Sequence, residues 1–251
     1  MVRAETKGRI ARIELARLDK KNAITTEMYA QMADALAAAA ANRAVRAVLI
    51  HGSKDCFTAG NDISNFLQRD PNVKSPAFRV FDVLPALEKP VVAAVGGPAV
   101  GIGTTLLLHC DLVYATPGAR FQLPFVPLGI VPEFGSTYLL PLLAGYQRAA
   151  ELLLLGQPFT AEKAREVGIV TAIVRDDELL ATAEEAARKL AELPPESIRL
   201  TKRLMKSAHA AAVGKQIAEE ARIFGERLGS PEAKEAMSAF LEKRKPDFSR
   251  F

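Results

Sequence analysis

Residues 91–111 read Val91-Val92-Ala93-Ala94-Val95-Gly96-Gly97-Pro98-Ala99-Val100-Gly101-Ile102-Gly103-Thr104-Thr105-Leu106-Leu107-Leu108-His109-Cys110-Asp111. The first five residues are apolar and lie between Glu88-Lys89-Pro90 and Gly96-Gly97-Pro98, so they predict a short buried strand. Gly101 then opens a helix that runs to His109. A helix start carries unpaired N–H groups and the positive end of the helix dipole, which suits it to hold an anion. The spacing is not G-x-G-x-x-G, and no Gly-Lys-Ser/Thr follows, so neither a dinucleotide fingerprint nor a P-loop is present. Taken alone, the stretch reads equally well as a helix start squeezed by close packing.

Similar units flank this one. Ala11, Ile13 and Leu15 alternate with Arg12 and Glu14, the pattern of a half-buried strand over 9–15. Thr25 or Thr26 can cap an alanine-rich helix to about Asn42. Ala44 to His51 predicts an apolar strand. Further strands are expected over 111–115, 120–123 and 169–174. Strands and helices alternate to about residue 190, which makes the fold class α/β. Beyond Pro194-Pro195 the chain reads as helix, over 196–211, 214–228 and 231–243, the last with Ser230 as N-cap and Pro231 in its first turn. The expected division is a core of 1–193 that carries the ligand site and a helical region of 194–251. Three helices have too little chain for a core of their own, so they must pack on the core or on another subunit. Lys245 to Phe251 reads as the one irregular end.

Composition narrows the function classes. With 49% hydrophobic and 25% charged residues over 251 positions, the chain is an ordinary globular one. Its start lacks an apolar h-region, and no apolar run reaches the length of a membrane span. A soluble protein is expected, cytoplasmic if bacterial, without a membrane partner. Cys56 and Cys110 are isolated, and His51, His109 and His209 are far apart, so metal ligation has no support. The net charge of +4 is mild. Arg199, Lys202 and Lys206 share a helical face, and Lys243-Arg244-Lys245 forms a second basic cluster. These read as a solvated positive surface or as phosphate contacts.

Two more segments bear on chemistry. Phe57-Thr58-Ala59-Gly60-Asn61-Asp62-Ile63 follows a strand, and its small residues allow backbone to approach a ligand closely. It also reads as a plain strand-to-helix turn capped by Asp62. The second segment, Pro124 to Ser136, is apolar and stiffened by proline, and it holds a single carboxylate, Glu133, just before a helix expected over 134–143. Phe125, Leu128, Ile130 and Phe134 leave little water for that carboxylate, which raises its pKa toward that of a useful base. The helix start acts in the opposite direction.

The order and spacing of these segments resemble the enoyl-CoA hydratase/isomerase (crotonase) family over nearly the whole chain. Leu18 to Ile24 is similar to the family's Lys-Asn-Ala strand end, and 237–245 to its C-terminal signature. The resemblance implies a spiral of ββα turns followed by a helical trimerisation region, assembled as a homotrimer or a dimer of trimers. It implies an acyl-CoA thioester as substrate, with CoA as part of that substrate and no separate cofactor, metal or nucleic acid. The oxyanion hole would be the backbone N–H groups of Asn61 and Ile102. Lys20, Asn22, Ala23, Ala59, Asp62, Ile63, Phe240 and Lys243 would meet the CoA, the last two from a neighbouring subunit. Phe125, Leu128 and Phe134 would form the acyl pocket.

Within the family, the two glutamates expected of a hydratase fall at Thr105 and Phe125, neither of which is a carboxylate. Glu133 instead matches the glutamate of the Δ3,Δ2-enoyl-CoA isomerases, and the segments look most like the peroxisomal-type branch. The resemblance therefore implies an isomerase with Glu133 as its catalytic residue. Another crotonase reaction, such as hydration, is the rival within enzymes. A non-catalytic acyl-CoA or RNA binder is the rival from another class.

Overall fold

The computed structural model describes residues 1–62 and 75–251. Its strands are β1 (Val2–Lys7), β2 (Ile10–Leu15), β3 (Ala47–His51), β4 (Val91–Val95), β5 (Pro98–Val100), β6 (Leu112–Ala115), β7 (Arg120–Gln122), β8 (Phe159–Thr160) and β9 (Ala172–Ile173). Its described helices are α1 (Thr26–Ala41), α2 (Ala77–Ala86), α3 (Ile102–Thr105), α4 (Ser136–Ala144), α5 (Tyr146–Leu155), α6 (Ala161–Glu166), α7 (Leu179–Glu192), α8 (Pro195–Leu228) and α9 (Pro231–Leu241).

The main sheet has the order β1-β2-β3-β4-β6-β9, antiparallel at the β1-β2 hairpin and parallel elsewhere. The chain leaves this sheet after β4, adds β5 to a second sheet, forms α3, and returns as β6. It then adds β7 to the second sheet, whose order is β5-β7-β8. This is the expected spiral of ββα turns.

β3 and β4 are buried at every position, as their apolar runs predict. One face of the sheet, with Val48, Ile50, Val91, Ala93 and Val95, packs in the main core with Met28 and Met32 of α1 and Phe81 and Leu84 of α2. The other face, with Ala47, Leu49, Val92 and Ala94, is covered by Leu179, Ala183, Ala187 and Ala191 of α7. Their four-residue spacing lays a narrow stripe along one side of that helix. Two expected caps are in place: Thr25 Oγ1 accepts from the Met28 N–H, and Ser230 Oγ from the Ala233 N–H.

The structure departs from the sequence reading in several places. Strand β1 carries no apolar alternation, because it is an edge strand exposed at most positions. The helices expected over 196–211 and 214–228 are one 34-residue helix, α8. Gly214 costs a helix only about 1 kcal/mol, and the helix-favouring Ala210, Ala211, Ala212, Lys215 and Gln216 outweigh it. Phe224, Ala233 and Met237 of this region belong to the main core, one of the two packings expected of it.

Lys202 is the clearest correction to the picture of a solvated basic face. It is buried, and its Nζ donates to Asp111 Oδ2 at 2.6 Å and to the Lys89 carbonyl at 2.7 Å. Asp111 Oδ2 also accepts from the Val91 N–H at 2.7 Å. The pair thus ties α8 to the start of β4. Removing one partner of a buried pair strands the other charge. Lys202→Ala is therefore expected to lower the unfolding free energy by roughly 3 kcal/mol. In urea unfolding, adding Asp111→Asn should cost much less in the Lys202→Ala background than in the wild type.

Candidate active site

The site begins with an asparagine that has no contact with solvent. Lys21 and Asn22 are both left-handed, at φ +49° and +53°, a conformation Asn tolerates better than most residues. Asn22 Oδ1 accepts from the Arg17 N–H, and Nδ2 donates to the carbonyls of Cys56 and Phe57. Its own carbonyl accepts from Thr58 Oγ1 at 2.7 Å. Segment 57–62 is thereby laced to 21–24, with further bonds from Ala59 N–H to Lys21 O, Ile24 N–H to Gly60 O, and Asp62 N–H to Ile24 O. On its other side it is laced to β5, through Thr58 N–H to Pro98 O and Val100 N–H to Thr58 O.

This lacing aims two backbone donors. In a trans peptide the C=O and the following N–H point in opposite directions. Because the Gly60 carbonyl points at Ile24, the Asn61 N–H points away from it, toward Val100. The bend needs glycine: Gly60 has φ +90°, and a Cβ there would lie 2.7 Å from the Val100 carbonyl oxygen. Ile102 is the first residue of α3, following Gly101 at φ +56°. Its N–H lies in the helix's first turn, whose N–H groups have no acceptor within the helix.

Asn61, Gly60, Ala59, Val100 and Gly101 line one wall of a cavity of 340 Å³. Pro124, Phe125, Pro127, Leu128 and Ile130 form another wall, and Phe224, Ala236, Phe240 and Arg244 of the helical region close it. None of the described residues lining the cavity is Asp or Glu. In a larger cleft of 1230 Å³ between Arg43, Glu88 and Arg199, Arg199 is already paired with Glu88.

Glu133 follows the 124–130 wall in the chain and is not itself among the residues lining the cavity. The helix expected from Phe134 starts instead at Ser136, because Phe134 and Gly135 are both left-handed, at φ +63° and +73°. A bulky residue at positive φ costs on the order of 1–3 kcal/mol. The surroundings hold it there: the Phe134 ring stacks on Phe81 at 4.3 Å and on His109 at 4.0 Å between centroids. His109 Nε2–H donates to the Phe134 carbonyl at 2.8 Å, and burial lowers the His109 pKa to about 4, so the ring is neutral.

The turn leaves Glu133 6% exposed, with Oε1 buried and without a hydrogen-bond partner. Burial, and then the charge of Glu220, raise its pKa to about 8. Burial and the Glu133 charge also hold the Tyr29 hydroxyl well above its ordinary pKa, and that hydroxyl donates to Asn61 Oδ1 at 2.5 Å. Tyr29 thus links Glu133, through their electrostatic coupling, to Asn61, through its hydrogen bond.

The other expected site residues divide. Ala59, Phe125, Leu128 and Phe240 line the cavity. Asp62 is paired with Arg17 at 2.7 Å, and Arg17 also holds the Ala23 carbonyl. Asn22, expected at the CoA, has its amide wholly occupied in lacing the chain. Phe134, expected in the acyl pocket, sits in the core stack instead. Lys20 and Lys243 are exposed and do not line the cavity. Ile63 lies outside the described residues. Tyr29, Glu220 and Phe224 were not found from the sequence, because only tertiary packing brings them here.

The model of the family described as enoyl-CoA hydratase/isomerase matches residues 5–250. The chain belongs to the enoyl-CoA hydratase/isomerase family. It is 36% identical to the 1,2-epoxyphenylacetyl-CoA isomerase of Escherichia coli (strain K12), over 94% of each chain. It is 34% identical to the short-chain-enoyl-CoA hydratase of Clostridium acetobutylicum, over 96% of this chain and 94% of that one. Among solved structures, Pseudomonas aeruginosa OdaA superposes with a TM-score of 0.93 at 49% identity, covering 96% of this chain and 98% of that one. Relatives within the family thus include both isomerases and hydratases.

The buried Glu133 makes a thermodynamic prediction. Its folded pKa of about 8 lies above the ordinary 4.5, so its burial costs nothing below pH 4.5, where it is protonated in both states. Stability falls as pH rises from there through about 8, by about 1.4 kcal/mol for each pKa unit separating the folded and unfolded states. In urea unfolding, Glu133→Gln should match the wild type near about pH 4 and exceed it by a few kcal/mol near about pH 9.

Proposed function

We propose that this chain is a Δ3,Δ2-enoyl-CoA isomerase, moving a double bond from 3-enoyl-CoA to 2-enoyl-CoA. The observation that carries the reading is Glu133, a buried carboxylate with an unpartnered oxygen, in the loop that continues from the cavity wall at 124–130, while the cavity's described lining holds no acid of its own. In this reading the thioester carbonyl accepts hydrogen bonds from the N–H groups of Asn61 and Ile102. Glu133 takes a proton from C2, and the negative charge moves onto the thioester oxygen as an enolate. The protonated Glu133 then delivers the proton to C4, and the double bond settles between C2 and C3. One carboxylate suffices for both transfers, and no separate cofactor enters. Each oxyanion donor of this kind is worth about 10²–10³ in rate.

Hydration needs a second group to activate water. At the two positions where hydratase glutamates are expected stand Thr105, fully buried with its hydroxyl unpartnered, and Phe125, 3% exposed on the cavity wall. A phenyl ring leaves that wall dry, which protects an enolate from stray protonation.

In this reading the CoA runs along the rim made by Lys20, Ala23, Ala59 and Asp62, and Lys243 and Phe240 meet it from a neighbouring subunit. Leu142, Leu143 and Tyr146 on α4 and α5 are at least half exposed, an apolar surface that supports a homotrimer or a dimer of trimers. A light-scattering mass of one chain would count against that assembly.

With 3-hexenoyl-CoA, the wild type should form the conjugated 2-enoyl product, and a folded Glu133→Gln should lose this by at least about 10³-fold. The same wild-type preparation should hydrate crotonyl-CoA slowly or not at all. Hydration as fast as isomerisation would replace this reading with a hydratase. Turnover in neither assay, with CoA thioesters still bound, would favour a non-catalytic binder.

A further inference from the structure

Glu220 lies on α8, far along the chain from the loop that holds Glu133. It is 3% exposed, and every contact it makes is at the start of α4. Its Oε2 accepts from the Gly135 N–H at 2.5 Å, and its Oε1 accepts from the Thr137 N–H at 2.9 Å and the Thr137 hydroxyl at 2.5 Å. Gln216 Nε2 donates to that same hydroxyl oxygen at 2.8 Å, which leaves the hydroxyl hydrogen free for Glu220. Three donors and no acceptor surround the group, the shell of an ionised carboxylate. The helix has no local cap: its N-cap position is Gly135, which has no side chain to serve.

This contact solves a conflict within the loop. A carboxylate just before a helix start feels the free N–H groups and the positive end of the dipole, which favour its ionised form and weaken it as a base. Glu133 is placed there by the chain. We propose that Glu220 is a positioning residue for Glu133: its carboxylate takes up the N–H groups that open α4 and sets a negative charge against their field, so that Glu133 remains a strong base. The inference rests on Glu133 being the base in the reading above. Among the described residues, Tyr29 of α1 and Glu220 of α8 interact electrostatically with Glu133, and His109 of the turn after α3 stacks on the neighbouring Phe134. Tyr29 and His109 are neutral near pH 7, which leaves Glu220 as the group among them that can carry charge, its own pKa raised by burial and lowered by the Thr137 and Gly135 hydrogen bonds.

The test compares Glu220→Gln with Glu220→Asp. The glutamine keeps the size but loses the charge, and the aspartate keeps the charge on a shorter arm. In the pH profile of kcat/KM for 3-hexenoyl-CoA isomerisation, the wild-type acid limb should lie near about 8. In Glu220→Gln it should move down by roughly one pH unit, the scale expected of a lost like-charge neighbour, with a lower plateau. Glu220→Asp should leave it near the wild-type position. A merely structural role would lower the plateau in both variants without moving the limb. An unmoved limb in a folded Glu220→Gln, or equal movement in both variants, overturns the proposal.

Carboxyl ¹³C NMR of the glutamate-labelled wild type gives a readout that needs neither turnover nor a folded variant at position 220. With Glu133 assigned from Glu133→Gln, the other buried glutamate should ionise at lower pH than Glu133. A Glu220 that stays protonated up to about pH 8 also overturns the proposal. If the wild type isomerises nothing but the NMR order holds, the functional reading fails and the role of Glu220 in tuning Glu133 stands.

Discussion

Placing a carboxylate so that one of its oxygens is buried without a hydrogen-bond partner is the constraint on which this site depends. Such burial disfavours the charged form strongly, and a chain selected for stability alone would avoid it. Glu133 is kept there by three separate supports. The consecutive left-handed residues Phe134 and Gly135 end the loop abruptly and start α4 beyond it. The stack of Phe81, Phe134 and His109 fills the space a water could otherwise reach. Glu220 then occupies the helix start that would otherwise stabilise the Glu133 charge. Each support comes from a different part of the chain, so the site exists only in the completed fold.

The opposite wall follows another logic, because a thioester oxygen needs donors that do not move. Backbone N–H groups serve when the strands carrying them are pinned on both sides. Segment 57–62 is held between 21–24 and β5 by bonds that leave the Asn61 N–H out of the ladder. Asn22 anchors one flank through every polar atom of its amide. The invariant position of the donors, and not the identity of the Asn61 side chain, is what this construction secures. The Asn61 side chain has a separate partner in Tyr29, which links the wall of donors to the end of the site where Glu133 lies.

Much of this was legible in the sequence where the signal was local. The apolar run 91–95 and the alternation over 9–15 announced their strands, and the caps at Thr25 and Ser230 marked their helices. Glu133 stood out as the one carboxylate in an apolar loop, the small residues of 57–63 marked a close backbone approach, and Gly101 marked a helix start. What could not be read depended on partners far along the chain. Lys202 looked like part of a solvated face until Asp111 was brought to it. Gly214 looked like a break until tertiary packing carried α8 through it. Phe134 looked like a pocket residue, since nothing in the sequence marks a phenylalanine as left-handed. Tyr29 and Glu220 sit on helices whose local pattern gives them no special part, and only the packing of α1 and α8 against the 124–136 loop brings them to Glu133.

The central claim is that one dry carboxylate removes the proton at C2 and returns it at C4. It is tested most directly by following that proton. 3-Hexenoyl-CoA deuterated at C2 would be converted by the wild-type protein in ordinary water, and the 2-hexenoyl product analysed by mass spectrometry and NMR. A buried Glu133 that carries the proton itself predicts that a substantial share of the product carries the transferred deuterium at C4. Product whose C4 carries only solvent hydrogen would contradict the account, since the proton would then have passed through water or a second base.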